Sequence, residues 1–245
     1  MGDRGVDFVA THLDSRRKLN KIDFCIANGE NSSTAGKGIT KAVAQRLFMC
    51  GVDVITMGNH TFNHSDIYKL MEEENVIRPA NYPPETAGQG YIITEINNEK
   101  VAVVNVNGRV YMGSFDCPFR CTEQILKKLD VKTIFVDFHG EATSEKRAFA
   151  EYFDGKISAI IGTHTHVQTA DERVLPNGTA FISDAGMTGA IDSILGVRKD
   201  EVIKMFLTSM PVRFSVQNSP IRMDCVVIET DNEGKAISIE RLNIE

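Results

Sequence analysis

The chain has 245 residues, of which 42% are hydrophobic and 24% charged, with 19 glycines and 7 prolines. This composition excludes a disordered or fibrous chain, and the length suits one large α/β domain with a substantial core. The net charge of -6 excludes a general electrostatic affinity for long nucleic acid. We therefore expect a single domain over residues 1–245.

Neither a membrane anchor nor a secretory signal is visible in the sequence. No apolar run approaches the roughly 18 residues of a membrane-spanning helix, and the first residues, MGDRGVDFVATHLDSRRKL, are too polar for a signal peptide. Cys25, Cys50 and Cys225 lie in apolar runs and are interpreted as core residues. Cys117 and Cys121 have a ligand-like spacing, but no second cysteine pair accompanies them. We expect a cytoplasmic protein with no membrane contact.

Helical and strand patterns alternate in the first part of the chain. Apolar residues at positions 6, 9 and 13 predict an amphipathic helix, and the runs DFCIA and VDVITM predict buried strands. The glycine after the second helix is typical of a helix end. In order, the predicted elements are a helix over 6–19, a strand over 23–27, a helix over 39–50, a strand over 52–57 and a short helix capped by Ser65.

Hairpins become frequent in the later part. YIITEI and VAVVNV flank the turn NNEK, and RMDCVVIET and AISIERL flank DNEG. Early βα alternation followed by hairpins favours one α/β domain with a mixed sheet or two stacked sheets. The other predicted elements are strands over 133–138, 156–162 and 179–184, a helix from Ser144, a helix near 199–207 and a strand near 212–216.

Side chains able to bind metal come directly after four predicted strands, in the segments ANGEN, TMGNH, VDFHGE and GTHTH. Because ligand sites of open α/β folds gather at the carboxyl ends of strands, we expect these side chains to meet. Their number and mixture suit two divalent ions, and imidazole with carboxylate favours manganese, iron or zinc over calcium. The candidate residues are Glu30, Asn31, Asn59, His60, His139, His164 and His166.

Each candidate also has an ordinary structural interpretation. A single histidine after a strand is commonly a hydrogen-bonded loop residue, and the asparagine in G-N-H could serve a turn. Glu30 and Asn31 could cap the segment that follows them. The concurrence of four of the six histidines at strand ends favours a metal site. His12 and His64 lie in helical or loop contexts and are not expected to be ligands.

The motifs GNH and GTHTH resemble those of the calcineurin-like metallophosphoesterases, and the closer resemblance is to the bacterial YmdB-like subgroup. Six segments are similar in order and approximate spacing: NGEN, ITMGNHTF, RPANYP, DFHGEATSEK, GTHTHVQTAD and SDAGMTG. The resemblance runs from about residue 5 to the C-terminus. It implies a four-layer αββα sandwich of mixed sheets, with a two-metal site on one edge.

The resemblance also implies a role for each motif residue. Glu30 would bridge two divalent ions, and His60 would be the proton donor near the leaving oxygen. The implied substrate is a small phosphodiester, including cyclic nucleotides such as 2′,3′-cyclic AMP, attacked in line by water that the ions activate. The other ligands would divide into Asn31 and His166 for the first ion, and Asn59, His139 and His164 for the second.

The chain departs from the subgroup at its beginning. Members start with an apolar strand ending in Gly-Asp, whose aspartate binds the first ion, whereas this sequence starts MGDRGVDFV. Asp3 follows a glycine, but no strand precedes it to present it as a ligand. If no further strand supplies this aspartate, the first metal site would be weak. We also expect an exposed edge on the strand 23–27, where a second copy could pair to form a homo-oligomer.

Three explanations of this departure stay open. The first strand could lie outside this sequence, the protein could be naturally short and bind one ion weakly, or it could have lost catalysis and act by binding. The alternatives to a phosphodiesterase are therefore a catalytically impaired regulatory protein that binds metal or nucleotide, and a phosphomonoesterase or nucleotidase of the same superfamily.

Overall fold

A computed structural model describes all 245 residues, Met1–Glu245. None of its helices has the length and apolar character needed to cross a membrane. The helices are α1 (Gly2–Leu19), α2 (Lys41–Met49), α3 (Ile67–Glu73), α4 (Pro118–Leu126), α5 (Thr143–Tyr152) and α6 (Lys199–Thr208). The strands are β1 (Ile26–Asn28), β2 (Val54–Thr56), β3 (Val76–Ile77), β4 (Tyr91–Ile96), β5 (Glu99–Asn107), β6 (Thr133–His139), β7 (Ala159–Thr163), β8 (Arg173–Val174), β9 (Ala180–Ile182), β10 (Thr188–Ala190), β11 (Ile221–Thr230) and β12 (Ala236–Ile244).

The strands form one six-stranded sheet and two three-stranded sheets. The large sheet has the order β4-β5-β6-β7-β9-β8, and its four central strands are parallel. Of the small sheets, β1-β2-β3 is parallel and β10-β11-β12 is antiparallel. Because strands β5, β6, β7 and β9 run the same way, their carboxyl ends meet at one edge of the large sheet.

Both small sheets pack on the same large sheet through apolar side chains. Val54 of β2 and Val103 of β5 share one buried cluster. Ala236 of β12 shares another with Ala159 and Ala180 of β7 and β9. Helices α1, α2 and α3 cover the outer face of the small sheets, and α4 and α5 cover the large sheet. This confirms the expected four-layer αββα sandwich with mixed sheets.

Most helices lie where the apolar spacing predicts them, and their boundaries differ by a few residues. Two details are wrong. Asp66, not Ser65, precedes the first residue of α3, and no side chain caps that helix. Helix α4 was not predicted, because its segment was interpreted through Cys117 and Cys121. Cys117 flanks the start of α4, Cys121 lies on it, and both are free thiols.

The strand predictions hold best for the long hairpins. The strand expected over 23–27 is displaced to β1, and β1 lies at an edge of its sheet with a strand on one side only. The strand expected near 212–216 is wrong. Val216 there makes only an isolated bridge to Val197, because no neighbouring strand runs beside the segment. Pairing of a second copy along β1 stays a prediction.

Candidate metal centre

The seven candidate residues come together at one edge of the sandwich, where parallel strands of the two facing sheets end. Each sheet contributes part of the group, so the centre lies between the layers. Glu30 and Asn31 follow β1, Asn59 and His60 follow β2, His139 ends β6, and His164 and His166 follow β7.

His139 is at the middle of the tighter group. Its Nε2 lies 2.5 Å from Glu30 Oε2, 3.1 Å from Asn59 Oδ1 and 3.1 Å from His164 Nδ1. The side chains of His139 and Glu30 are almost completely buried. Glu30 Oε2 receives no hydrogen bond. Four polar atoms therefore crowd one small volume without the donors that would normally satisfy them.

A chain of hydrogen bonds behind His139 explains this crowding. Thr163 Oγ1 donates its only proton to Asp137 Oδ1 at 2.6 Å, so it must accept from His139 Nδ1, which lies 2.9 Å away. Neutral His139 then carries its proton on Nδ1 and points the Nε2 lone pair into the group. Burial raises the pKa of Asp137, while hydrogen bonds from Asn28 and Thr56 favour its charged form.

His164 is oriented in the same way as His139, but the roles of its two ring nitrogens are exchanged. Its Nε2 lies 3.2 Å from Glu141 Oε2, which accepts the ring proton and leaves the Nδ1 lone pair facing His139. Burial, with a smaller contribution from His139, lowers the pKa of His164 to about 4, so its ring is neutral at pH 7. Two imidazole lone pairs, a carboxylate oxygen and an amide oxygen thus converge.

This donor set fits a divalent cation. Histidine, cysteine, aspartate and glutamate side chains alone form no group of three able to hold a metal ion. The group around His139 adds the amide oxygen of Asn59 to two imidazoles and one carboxylate. Ligand atoms about 2.1 Å from an octahedral ion lie roughly 3 Å from one another, close to the spacings around His139. Imidazole, carboxylate and amide donors suit manganese, iron or zinc.

The second group is smaller. His166 Nε2 lies 3.1 Å from Asn31 Oδ1, and His166 Nδ1 lies 3.1 Å from the carbonyl oxygen of Leu195, to which it donates. Asn31 Nδ2 donates to Gly36 O at 2.8 Å, which directs Oδ1 towards His166. Asp3 is exposed in the first turn of α1 and has no contact with this group. Two lone pairs, one from His166 and one from Asn31, converge here.

His60 lies beside the tighter group and is held through its backbone. Its N–H donates to Glu30 Oε1 at 2.6 Å. Burial, together with the charge of Lys37, lowers the pKa of the His60 ring. Burial would raise the pKa of Glu30, but His139 in its protonated form, together with the His60 N–H, outweighs burial and holds that pKa below its usual value.

Gly58 makes room for the contact between the two sheets. A Cβ at this position would collide with Glu30 Oε2 and with the ring of His139. Any other residue would push the glutamate away from the histidine, so glycine is required immediately before Asn59.

Sequence reasoning missed a buried ion pair that holds the GTHTH turn. Lys146 Nζ donates to Asp184 Oδ2 at 3.0 Å and to Thr163 O at 2.8 Å, and the side chains of Lys146 and Asp184 are 1% exposed. Asp184 Oδ2 also accepts from Thr165 N at 2.9 Å. The pair therefore ties down the residue on each side of His164. The only sequence signal was their position in two resemblance segments, DFHGEATSEK and SDAGMTG.

The turn held by this pair is conformationally costly. His164 and His166 have φ values of 103° and 64°, in the left-handed region that non-glycine residues rarely adopt. Such a backbone persists only where surrounding contacts determine it. The strained backbone thus places one ring nitrogen of His164 and one of His166 in the two groups. The buried ion pair helps to offset the cost of that strain.

A cluster of three aromatic side chains, Phe62, Tyr82 and Phe115, lies close to the tighter group, and we call it the aromatic wall. The ring of Tyr82 makes edge contacts with Phe115 at 5.0 Å and Phe62 at 5.5 Å between centroids. Burial raises the pKa of Tyr82, and the nearby charge of Glu30 adds to the rise. Three half-buried aromatic rings that meet edge to face therefore stand next to the polar centre.

Comparison with known proteins gives concordant matches. The family model described as YmdB-like protein matches residues 1–242. A 2′,3′-cyclic-nucleotide 2′-phosphodiesterase of Bacillus subtilis (strain 168) is 43% identical over 248 residues, which cover 100% of this chain and 94% of the relative. A crystal structure of a hypothetical protein from Thermus thermophilus superposes with a TM-score of 0.95, 38% identity and coverage of 100% of this chain and 95% of that one. A novel phosphatase from Mycoplasma pneumoniae superposes with a TM-score of 0.94, 33% identity and coverage of 100% and 90%.

Proposed function

The chain belongs to the YmdB-like protein family, and we propose that it is a metal-dependent phosphodiesterase whose substrates are 2′,3′-cyclic nucleotides. The family relationship makes it a phosphoesterase. One observation carries the metal-dependent part of the proposal. Four lone pairs converge around His139 while the protons of both imidazoles point away from the centre.

Two divalent ions, iron or manganese in preference to zinc, are the proposed cofactors. When bound, such ions activate water for attack on phosphorus and neutralise charge on the phosphate. Among the proposed ligands only Glu30 carries a formal charge, so a loaded centre keeps net positive charge for an anionic substrate. The proposed ligands are Glu30 for both ions, Asn31 and His166 for the first, and Asn59, His139 and His164 for the second.

His60 is the proposed proton donor. In hydrolysis of a cyclic phosphodiester a P–O bond to ribose breaks, and the departing oxygen takes a proton. A nearby phosphate anion favours the imidazolium form of His60 and opposes the effect of burial on its pKa. The hydrogen bond from its backbone to Glu30 keeps the ring beside the centre.

The aromatic wall supports a nucleotide rather than a simple phosphodiester. Nucleobases stack on aromatic side chains with about 1–3 kcal/mol per base. Tyr82 and its neighbours Phe62 and Phe115 offer such a surface beside the proposed metal ligands. We propose a small cytoplasmic substrate, which agrees with five free thiols and with a net charge that disfavours long nucleic acid.

The decisive experiment measures hydrolysis of 2′,3′-cyclic AMP by the manganese-loaded protein and by Glu30→Gln. We expect turnover to be lost in the variant while its circular dichroism is unchanged. His12→Ala is the matched control, because His12 lies on α1 outside the centre. Unchanged turnover in Glu30→Gln would contradict the proposal.

Two other functions remain to be separated from this one. The small number of donors around His166 favours, as an alternative, a regulatory protein that binds one ion. That protein would hold a single ion per chain and hydrolyse nothing with added manganese. The similarity to a protein named a phosphatase favours a phosphomonoesterase, which would release phosphate from adenosine monophosphate faster than it opens the cyclic diester.

A further inference from the structure

The segment RPANYP, residues 78–83, is one of the six resemblance segments, yet it supplies none of the proposed ligands. Its arginine, Arg78, is only 6% exposed. Arginine is rarely buried unless a carboxylate pairs with it, because removing its charge from water is costly. Besides burial, the groups that act on the pKa of Arg78 are Cys121 and Tyr82, and no carboxylate is among them. This buried cation therefore needs another explanation.

Arg78 closes the loop 78–90, which joins β3 to β4, upon itself. Its Nε donates to Ala87 O at 3.0 Å. Its Nη1 and Nη2 donate to Pro79 O at 2.8 Å and to Thr86 O at 2.9 Å. Carbonyl groups of a surface loop can hydrogen-bond to water, whereas here one guanidinium collects three of them. The loop is thus held in one shape by a single side chain.

Asn81 ties the same loop to the carboxyl end of β5. Its side chain is buried, its Nδ2 donates to Asn107 O at 2.8 Å and Asp116 O at 2.9 Å, and its Oδ1 accepts from Asn107 N at 2.8 Å. Asn107 is in register with His139 on the neighbouring strand, and Asp116 directly follows Phe115 of the aromatic wall. The loop is therefore fixed relative to both the metal centre and the wall.

Tyr82 lies in this loop directly after Asn81. The Cζ atom of Arg78 is 6.0 Å from the centroid of the Tyr82 ring, at the distance of a cation–π contact. Thr61 and Glu30 are close enough to the Tyr82 hydroxyl to influence its pKa. The guanidinium thus stands over one face of the ring, and the hydroxyl end is directed towards the centre. The opposite face of Tyr82 is the one on which a nucleobase could stack.

We propose that Arg78 is a positioning residue of a nucleoside subsite, in which the base of the substrate stacks on Tyr82 while its phosphate is at the metal centre. The inference rests on the proposed function, because it requires a nucleotide as substrate. Arg78 acts through Tyr82 and does not touch the substrate. A ring that is already ordered loses less conformational freedom when a base stacks on it, so the subsite binds more tightly.

The test compares two substrates of the manganese-loaded protein, 2′,3′-cyclic AMP and glycerol 1,2-cyclic phosphate. Both contain the same five-membered cyclic phosphodiester, and the second lacks a base. The ratio of their kcat/KM values reports recognition of the base, because partial unfolding or partial metal loading lowers both rates equally. We expect Tyr82→Leu to lower the ratio about 5–100-fold and Arg78→Met to lower it about tenfold, mainly through KM for the nucleotide.

Two further variants test whether Arg78 acts through Tyr82. Arg78→Met added to Tyr82→Leu should lower the ratio no further, because the group that Arg78 positions is already absent. Arg78→Lys keeps the charge and can donate to the loop carbonyls, so it should restore part of the ratio. Arg213→Met is the matched control, because Arg213 is an exposed arginine in the segment after α6.

An unchanged ratio in Arg78→Met would overturn the inference, and so would a further fall in the double variant. A wild type that opens both cyclic esters with equal kcat/KM would overturn it as well, while leaving the phosphodiesterase chemistry in place. A wild type that opens neither ester would contradict the proposed function. The subsite is then judged by calorimetric binding of adenosine 3′-monophosphate, and equal affinity in the wild type and Arg78→Met would overturn it.

Discussion

The two halves of the centre differ although one H-x-H motif supplies a histidine to each. Around His164 and His139 four donor atoms converge, and the side chains of Glu30 and His139 are buried. Around His166 the described residues bring one further donor atom, Asn31 Oδ1, and Glu30 is a proposed ligand there. The motif thus identifies where the proposed ligands lie, and we expect the number of converging lone pairs to decide how firmly an ion is held.

The halves also differ in what stands behind the ligands. His139 is oriented by Thr163 and by the buried carboxylate of Asp137, both in the large sheet. His166 is oriented by the carbonyl of Leu195, in a loop leading to α6. Outer hydrogen bonds of this kind raise ligand basicity and fix the tautomer. A ligand oriented from within a sheet is held more rigidly than one oriented by a loop.

The largest effect is expected when the stronger half is destroyed. His139→Ala removes the central donor, so we expect loss of the tighter ion and a fall in hydrolysis of about 10⁴-fold or more. Metal content per chain and kcat/KM for 2′,3′-cyclic AMP measure the two effects. Retention of the tighter ion by the variant would show that the group around His139 does not hold that ion.

A second test asks whether the halves share one support. Lys146→Met leaves Asp184 buried without its partner, and such changes cost about 3–5 kcal/mol of unfolding free energy. We expect both ions to bind more weakly, because the turn carries both His164 and His166. Urea unfolding and metal titration check this. Lys146→Met with Asp184→Asn removes the unpaired charge and keeps an oxygen that can accept from Thr165 N, so it should recover part of the stability without recovering metal affinity.

A third change loosens only the stronger half. Thr163→Val removes the acceptor of the His139 Nδ1 proton, and we expect a loss of about 10–100-fold in affinity for the tighter ion. Calorimetric titration with manganese measures it. Thr163→Ser keeps the hydroxyl and should restore the affinity. Equal affinity in the valine and serine variants would remove the role given to this hydrogen bond.

The smallest effect is expected in the weaker half. After chelation, manganese should rebind to the wild type in two steps, with the weaker step at least about tenfold lower in affinity. His166→Ala should remove only the weaker step. A single step of two equivalent ions, or loss of the tighter step in His166→Ala, would contradict the division of the centre.

The sequence predicts that the candidate residues lie close together, and the structure brings them together because of a simple relation between strand ends and sites. All seven candidates lie at or after the ends of strands, and parallel neighbours bring strand ends together whatever the exact strand bounds. This is why the displacement of β1 from the expected 23–27 does not move Glu30 away from the group.

What the sequence could not show depends on tertiary contacts. Lys146 and Asp184 are charged residues in separate segments, and nothing local indicates that both are buried. The apolar spacing of α6 predicts a helix but not which of its faces the fold covers. The strand near 212–216 fails for the same reason, because strand formation needs a neighbour that only the folded chain provides.

The placement of the donors on both sheets has a mechanical consequence. Glu30 and Asn59 belong to the layer of small sheets, whereas His139 and His164 belong to the large sheet. An ion held by all four would join the layers at their open edge, in addition to the apolar contact between Val54 and Val103. The two layers could then not slide or separate without breaking ligand bonds, so the ion would fix the two layers of the sandwich to each other.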